Sequence, residues 1–243
     1  MKRLLTVSLF ALSVSAFAES TPHWAYEGKG GPDNWGKLSD TFATCKTGKY
    51  QSPIDIRHPF DATLPPLTLD FHTAAEKLVN NGHTLLVTAG DEDEFRLDDT
   101  TFILRQYHFH TPSENRINGK SFPLEAHFVH ASENGDIAVL AVMFETGPEN
   151  SALTPLLERL PKEKNREVSI DKRFNLRPLF PDDLHYYRFS GSLTTPPCTE
   201  GLRWIVMKNT VTLSEKQLET FKQALEHSNN RPLQPLNGRV IVQ

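Results

Sequence analysis

The sequence has no excess of positive charge, which limits the partners it can have. Its 243 residues carry 26 Lys and Arg against 30 Asp and Glu, and the basic residues are scattered among the acidic ones. Proteins that bind a nucleic-acid backbone usually gather basic side chains into a patch or stripe. We therefore expect no nucleic-acid partner.

Long apolar runs are missing after the first 18 residues, MKRLLTVSLFALSVSAFA. This segment has a basic start at Lys2 and Arg3, an apolar stretch over residues 4–12 and a small-residue ending at residues 16–18. The pattern is typical of a cleavable secretory signal, and the apolar stretch is shorter than the ~20 residues that cross a membrane. We predict a periplasmic or secreted protein with no membrane anchor after cleavage.

Internal repeats, low-complexity tracts and linkers are missing as well, so we predict one domain over residues 19–243. Cysteine is scarce, with only Cys45 and Cys198. An even number of cysteines in an exported chain favours a disulfide over the alternative of two buried thiols.

Short alternating or β-branched segments recur between turn signals and predict a sheet-dominated fold with few helices. The predicted strands cover residues 67–71, 84–89, 96–110, 124–131, 137–145, 187–193 and 203–207. Two helices are predicted, one capped by Ser151 over residues 151–160 and one that begins with a capping box of Ser214 and Gln217.

The segment QYHFHTPSEN, residues 106–115, places His108 and His110 on a predicted strand. Side chains alternate along a strand, so both rings project from one face, about 7 Å apart along the chain, and can converge on one metal ion. The segment LEAHFVHA, residues 124–131, offers His127 or His130 as a third ligand. These two lie three residues apart and therefore face opposite ways, so only one of them can join the site.

Flanking polar residues favour His127. Gln106 lies two residues before His108, and Glu125 lies two before His127, so each can accept the ring N–H that a metal leaves free. His130 has no polar residue at this offset. Three neutral imidazoles with an open fourth position are typical of a catalytic zinc site. The predicted ligands are His108, His110 and His127.

Together with other segments, these motifs resemble the α-class carbonic anhydrases, zinc enzymes that interconvert CO2 and bicarbonate. The matching segments are HWAYEG (23–28), QSPIDI (51–56), NNGH (80–83), QYHFHTPSEN, LEAHFVH (124–130), SLTTPPCTEG (192–201) and RPLQPLNGR (231–239). The resemblance implies a mainly β (α+β) single domain around a large, twisted, mostly antiparallel central sheet of about ten strands, with short peripheral helices. It also implies zinc-dependent CO2 hydration through a zinc-bound hydroxide.

The resemblance assigns roles to residues that spacing alone cannot place. Thr194 is expected to accept a hydrogen bond from the hydroxide and to donate one to Glu114, and Thr195 to help position bicarbonate. His83 is expected to act as a proton shuttle, with Tyr26 and Asn81 holding a water chain. The apolar wall that receives CO2 is expected to consist of Val129, Val139, Leu193 and Trp204.

Further expectations come from the same resemblance. Cys45 and Cys198 are bridged, the peptide bonds before Pro53 and Pro197 are cis, and sulfonamides and anions act as inhibitors. Leu86 departs from the family, because many relatives place a polar side chain there. The resemblance leaves open whether the protein is a homodimer.

Two alternatives compete with this interpretation. A cupin-type metalloenzyme would share the pattern H-x-H-x-x-x-E, but the segment before His127 lacks the glycine that a cupin places ahead of its last ligand. A catalytically weak relative that only binds zinc would typically lose a zinc histidine, whereas all three are present here.

Overall fold

The computed structural model describes residues 22–72, 75–90, 92–170 and 174–243. The predicted signal segment, residues 1–18, lies outside these residues. Among the helices of the described ranges, none has the length and apolar character needed to cross a membrane.

Thirteen strands and four α-helices make up the regular structure of the described residues. The strands are β1 (Asp55–Ile56), β2 (Thr68–Asp70), β3 (Lys77–Asn80), β4 (Leu85–Thr88), β5 (Glu94–Leu97), β6 (Thr100–His110), β7 (Arg116–Ile117), β8 (Leu124–Ala131), β9 (Ile137–Thr146), β10 (Glu167–Ser169), β11 (Tyr186–Ser192), β12 (Glu200–Met207) and β13 (Val211–Leu213). The helices are α1 (Trp35–Leu38), α2 (Thr44–Thr47), α3 (Leu153–Leu157) and α4 (Glu215–Leu225). Short 3₁₀ turns cover Gly28–Gly30, Pro32–Asn34, Asp40–Phe42 and Arg177–Leu179.

An eleven-stranded sheet organises the protein, with the order β10-β3-β4-β6-β8-β9-β12-β11 along its main path. β5 pairs with β6 and β2, and β13 pairs with β9. The pairs of β9 with β12 and β13 are parallel, and the other pairs of this sheet are antiparallel. A separate parallel pair joins β1 and β7. The predicted large, mostly antiparallel sheet with short peripheral helices is thus confirmed.

Two sequence predictions of elements are wrong in detail. The segment 96–110 is not one strand, because Asp98 and Asp99 adopt positive φ angles of 48° and 59° and form a turn between β5 and β6. Ser151 does not cap α3, since the Asn150 side chain accepts the hydrogen bond from the Ala152 N–H instead. The capping box of Ser214 and Gln217 at the start of α4 is confirmed.

Both faces of the central strands are covered, and β8 shows how the two faces differ. Its even-numbered residues Leu124, Ala126 and Phe128 point into the larger hydrophobic core. Val129, an odd-numbered residue, packs against a smaller core that contains Trp204. Because side chains alternate along a strand, Glu125 and His127 share the face of Val129.

A register shift in β6 sets the orientation of its second half. Opposite β8, the pairing steps from Leu104 to Gln106 while the partner strand advances by only one residue. Before the shift Leu104 faces the larger core, and after it Tyr107 and Phe109 do so. Such a bulge reverses the alternation of a strand. Gln106, His108 and His110 therefore lie on the face opposite the larger core.

A disulfide joins Cys45, in α2, to Cys198, in the loop between β11 and β12, across 153 residues of sequence. The bridge expected from the sequence is therefore present. The expected cis peptide bonds before Pro53 and Pro197 are also found, and a third precedes Pro112.

Removing the disulfide is predicted to destabilise the fold because the bridge closes a long loop in the unfolded chain. For the double variant Cys45→Ser/Cys198→Ser, we expect the free energy of unfolding to fall by about 2–5 kcal/mol. Urea unfolding at neutral pH measures this, with the thiol-reduced wild type as a matched control that should behave like the variant. A midpoint equal to that of the oxidised wild type would contradict the prediction.

Candidate metal centre

Three histidine side chains meet on the sheet face opposite the larger core. His108 on β6 stands directly across from His127 on β8, and His110 lies two residues further along β6. One ring nitrogen of each residue lies within 4.8 Å of the other two. His110 and His127 are each 1% exposed. The alternation of two neighbouring strands thus brings together the three imidazoles that the sequence predicted as metal ligands.

Each imidazole has an oxygen acceptor at its second ring nitrogen. The Gln106 Oε1 atom lies 2.8 Å from Nδ1 of His108, and the Glu125 Oε1 atom lies 2.9 Å from Nε2 of His127. These are the two orienting residues predicted from the sequence. The nitrogens left to face the centre are Nε2 of His108, Nε2 of His110 and Nδ1 of His127.

The acceptor for His110 was not predicted. It is the main-chain carbonyl of Asn229, 2.7 Å from Nδ1 of His110 and 119 residues away in sequence. Any residue type can offer a carbonyl, so the sequence carries no side-chain signal for this contact. The Asn229 side chain makes a second contact with the same part of the chain, because its Oδ1 atom accepts the main-chain N–H of Thr111 at 2.8 Å.

Burial disfavours the protonated form of two of these imidazoles, His108 and His110. It lowers the pKa of His108 well below its ordinary value, with His110 and His127 adding to the shift, and it also lowers the pKa of His110. Metal ions bind the neutral ring. In the described part of the chain, Nε2 of His110 is buried without a hydrogen-bond partner, which is costly unless another ligand satisfies it. These features fit a metal ion held by three nitrogen ligands.

A buried carboxylate lies beside the nitrogens that face the centre. The Oε2 atom of Glu114 is 3.5 Å from Nε2 of His110 and 3.9 Å from Nδ1 of His127. Burial raises the pKa of Glu114 to about 7, and the neighbouring His127, the Arg231 main-chain N–H and the Thr194 side chain partly offset this rise. A dication in the centre would favour the ionised carboxylate. The structure thus brings Glu114 and Thr194 together at the three histidines.

Glu125 does more than orient His127. Its Oε2 atom accepts the main-chain N–H groups of Glu114 and Asn115 at 2.7 and 2.8 Å, and its Oε1 atom accepts the Asn115 side chain at 2.7 Å. Burial alone would raise the pKa of Glu125, but the neighbouring His127 ring and the hydrogen bond from Asn115 lower it below the ordinary value. An ionised Glu125 therefore fixes both a histidine and the main chain that carries Glu114.

An apolar wall borders the centre. The Trp204 ring lies edge-on to the His127 ring with 4.9 Å between centroids, and its Nε1–H donates to the Ser192 carbonyl at 3.0 Å. Val139 stands next to Trp204 across β9 and β12. The four residues expected to form the wall, Val129, Val139, Leu193 and Trp204, all belong to the smaller core or pack against it.

Comparison with known proteins settles the family. A family model described as eukaryotic-type carbonic anhydrase matches residues 30–243. This chain belongs to the carbonic anhydrase family. A carbonic anhydrase of Pectobacterium carotovorum is 46% identical over 243 residues, which is 100% of both chains. The cupin alternative is therefore excluded.

Solved carbonic anhydrase structures agree. The α-carbonic anhydrase of Thermovibrio ammonificans, in complex with the inhibitor sulfanilamide, is 45% identical with a TM-score of 0.90, covering 92% of this chain and 100% of that chain. The α-carbonic anhydrase of Photobacterium profundum is 48% identical with a TM-score of 0.86, covering 91% of this chain and 100% of that chain. The fold of the described residues is thus that of the α-class enzymes.

In this carbonic anhydrase, an aromatic cluster surrounds His83, the predicted proton shuttle. The His83 ring stacks on Trp24 at 3.8 Å between centroids, and Tyr26 lies edge-on at 6.5 Å. His23 lies 6.4 Å from His83, and His227 lies 6.0 Å from Tyr26. Sequence analysis did not select Trp24, His23 or His227, because each becomes relevant only through its neighbours in the fold.

The pKa values of His83 and Tyr26 are shifted by burial and by neighbouring charges, one of which is that of Glu114. Burial lowers the pKa of the half-buried His83, and the charges of His23 and His227 lower it further. Burial raises the pKa of Tyr26 well above its ordinary value, and the nearby Glu114 adds to the shift. Tyr26 therefore contacts the ring of the shuttle candidate and also senses the charge of the Glu114 carboxylate.

Three other residues named from the sequence have clear positions. The Asn81 Oδ1 atom accepts the main-chain N–H groups of His83 and Thr84 at 2.9 and 2.8 Å, so this side chain shapes the turn that presents His83. Thr195 accepts the Cys198 N–H at its carbonyl, at 2.8 Å, in the loop after β11. Leu86 on β4 stands across from His108.

His130 lies apart from the metal centre, in the larger core. Its ring packs edge-on against Phe95 at 4.7 Å, and its Nδ1 atom is 2.8 Å from the Phe128 carbonyl. Burial lowers the pKa of His130 to about 3, so the ring is neutral. The opposite orientation of His127 and His130 agrees with their three-residue spacing on β8.

Removing the acceptor behind His108 should weaken metal binding. In Gln106→Leu, the His108 ring loses the oxygen at Nδ1, and we expect zinc affinity to fall by about 10- to 100-fold. Competition with a chelator of known zinc affinity measures the effect. Gln223→Leu is the control, since Gln223 contacts Glu219 on the exposed surface of α4 and should leave affinity unchanged. Equal affinities of the two variants would refute the orienting role of Gln106.

Proposed function

We propose that this carbonic anhydrase holds one zinc ion at His108, His110 and His127 and catalyses the reversible hydration of CO2 to bicarbonate and a proton. The observation that carries the proposal is the convergence of three imidazoles, two of them buried, whose facing nitrogens lie within 4.8 Å of one another. Each ring has an oxygen atom within 2.9 Å of its second nitrogen. When bound, zinc supplies a Lewis acid that lowers the pKa of a coordinated water toward neutrality, for which carbonic anhydrase is the standard example.

Thr194 and Glu114 are proposed to orient the attacking solvent molecule. An ionised carboxylate can only accept hydrogen bonds, so the Thr194 hydroxyl must donate its proton to Glu114. The Thr194 oxygen is then left to accept from the solvent molecule, which directs a lone pair toward the substrate carbon. The Thr194 main-chain N–H is proposed to face a substrate oxygen as a partial oxyanion site, and Thr195 to help position bicarbonate.

CO2 is small and apolar, so a wall without charges suits it. The proposed binding surface consists of Val129, Val139, Leu193 and Trp204, beside the His127 ring. Sulfonamide and anion inhibitors are proposed to compete for the same space, in keeping with the sulfanilamide bound by the Thermovibrio relative.

A proton must leave the site after each hydration event. We assign its transfer to His83, because histidine is the side chain whose ordinary pKa lies closest to neutrality, and the bridging water chain to Tyr26 and Asn81. Burial lowers the pKa of His83 from that ordinary value, which favours the neutral ring that can accept a proton. Export is proposed from the signal pattern of residues 1–18 and from the disulfide, which suits an oxidising compartment such as the periplasm.

Metal analysis combined with a CO2 hydration assay tests the proposal. The purified protein should contain one zinc per chain, and hydration should be lost with a chelator, restored by zinc and inhibited by sulfanilamide. Thr194→Val should retain zinc and lose on the order of 100-fold in kcat/KM. Zinc bound stoichiometrically without hydration would instead support the interpretation of a zinc-binding relative.

Loss of the shuttle should slow proton release and leave the CO2 step intact. In His83→Ala, we expect kcat in weak buffer to fall by about 100-fold, the low end for general acid–base catalysis, because Leu86 departs from the polar residue of many relatives. kcat/KM should stay unchanged, and added imidazole should restore kcat. His185→Ala, at an exposed histidine paired with Asp183, is the control. A parallel loss of kcat and kcat/KM would contradict the shuttle role.

A further inference from the structure

Arg231 carries a buried guanidinium close to the metal centre, and the roles proposed above do not use it. The residue is 3% exposed. Nη1 donates to the Gln51 Oε1 atom at 2.9 Å and to the Ser52 carbonyl at 2.8 Å, and Nη2 donates to the Cys45 carbonyl at 3.0 Å. Its guanidinium also lies over the Trp35 ring, 5.6 Å from the centroid. A buried charge needs such hydrogen bonds to offset its loss of water.

The main chain of Arg231 contacts the carboxylate beside the histidines. Its N–H donates to the Oε1 atom of Glu114 at 2.8 Å. The other carboxylate oxygen, Oε2, is the one that lies 3.5 Å from His110 and 3.9 Å from His127. With one oxygen held by the N–H, the carboxylate cannot rotate freely, and the second oxygen stays directed at the centre.

We propose that Arg231 is a positioning residue that holds Glu114 in register with Thr194. The inference rests on the proposed function, in which these two residues form a hydrogen-bond pair. The Arg231 side chain anchors the main chain at this position, and the anchored N–H fixes the carboxylate. Arg231 does not touch the substrate, so its effect on the reaction passes through Glu114.

The acceptors of the guanidinium explain how the two partners are kept in register. Cys45 is bridged to Cys198, which lies four residues after Thr194, and the Gln51 Nε2 atom donates to the Cys198 carbonyl at 3.0 Å. Arg231 therefore links the main-chain N–H that holds Glu114 to the segments of Cys45 and Gln51. The same two segments hold the Thr194 loop through their contacts with Cys198.

The matched control is a second buried arginine. Arg239 is 9% exposed, and its guanidinium donates to the main-chain carbonyls of Gln51, Ser190, Pro235 and Leu236 at 2.7–3.0 Å. It anchors the same neighbourhood, but among the described residues none of its hydrogen bonds reaches Glu114. A merely structural role for Arg231 predicts equal effects from the two arginines.

The test compares zinc-loaded Arg231→Met with Arg239→Met in CO2 hydration. Both variants should lose thermal stability. We expect kcat/KM to fall by about 10- to 100-fold in R231M, with zinc content unchanged, and to change less than about twofold in R239M. Arg231→Lys, which keeps the charge, should recover part of the loss, and it replaces R231M if that variant does not fold. Equal losses in R231M and R239M would overturn the proposal.

Two further measurements isolate the route through Glu114. In a Glu114→Gln background, R231M should cost little additional activity, because the group it positions has already been changed; additive losses would contradict the proposal. A crystal structure of R231M should show the Glu114 carboxylate turned away from the residue 231 N–H, and an unmoved carboxylate would refute the role. An inactive zinc-loaded wild type would instead overturn the proposed function, and the crystal structure would still decide the positioning role.

Discussion

In β6, one extra residue at position 105 reverses which side chains face the larger core, and the metal centre depends on that reversal. Leu104 before the shift and Tyr107 after it both point into the core, so the residues on the other side are His108 and His110. Continued alternation from Leu104 would have sent both histidines into the core. Because of the shift, one long strand can pack against the larger core along its whole length and still direct two imidazoles to the opposite face at its end.

The two buried carboxyl groups beside the centre are held by hydrogen-bond donors, some near in the chain and one distant. Glu125 receives two main-chain N–H groups and an amide besides the His127 ring, and Glu114 receives the Arg231 N–H. Removing one partner from such a network exposes an unmatched buried charge, which is usually worse than removing both. The network therefore makes the centre rigid, and the centre tolerates substitutions of the network residues poorly.

Local pattern was sufficient to predict much of this protein. The alternation of β6 and β8 identified His108, His110 and His127 with their orienters Gln106 and Glu125, because these contacts lie within two residues on one strand. The roles of Glu114, Thr194 and His83 came only from family resemblance. The turn at Asp98 and the bulge in β6 were missed, since a strand pattern continues across both. Main-chain contacts such as those of Asn229 and Arg231 have no side-chain signature and required the fold.

The segment after α4 shows why the metal centre and its rim behave as one unit. Asn229 accepts from the His110 ring at its carbonyl, and its side-chain Nδ2 donates to the carbonyls of His83 and Phe109 at 3.0 and 2.9 Å. One residue thus ties a metal-facing ring to the turn that presents the proposed shuttle. Two residues later, Arg231 ties Glu114 to the disulfide-braced loop. Because these contacts follow one another along a single stretch of chain, displacing that stretch would move the His110 ring, the Glu114 carboxylate and the turn that presents His83 together. Close fixation of the stretch is therefore a condition for the metal ligation, solvent orientation and proton release proposed above.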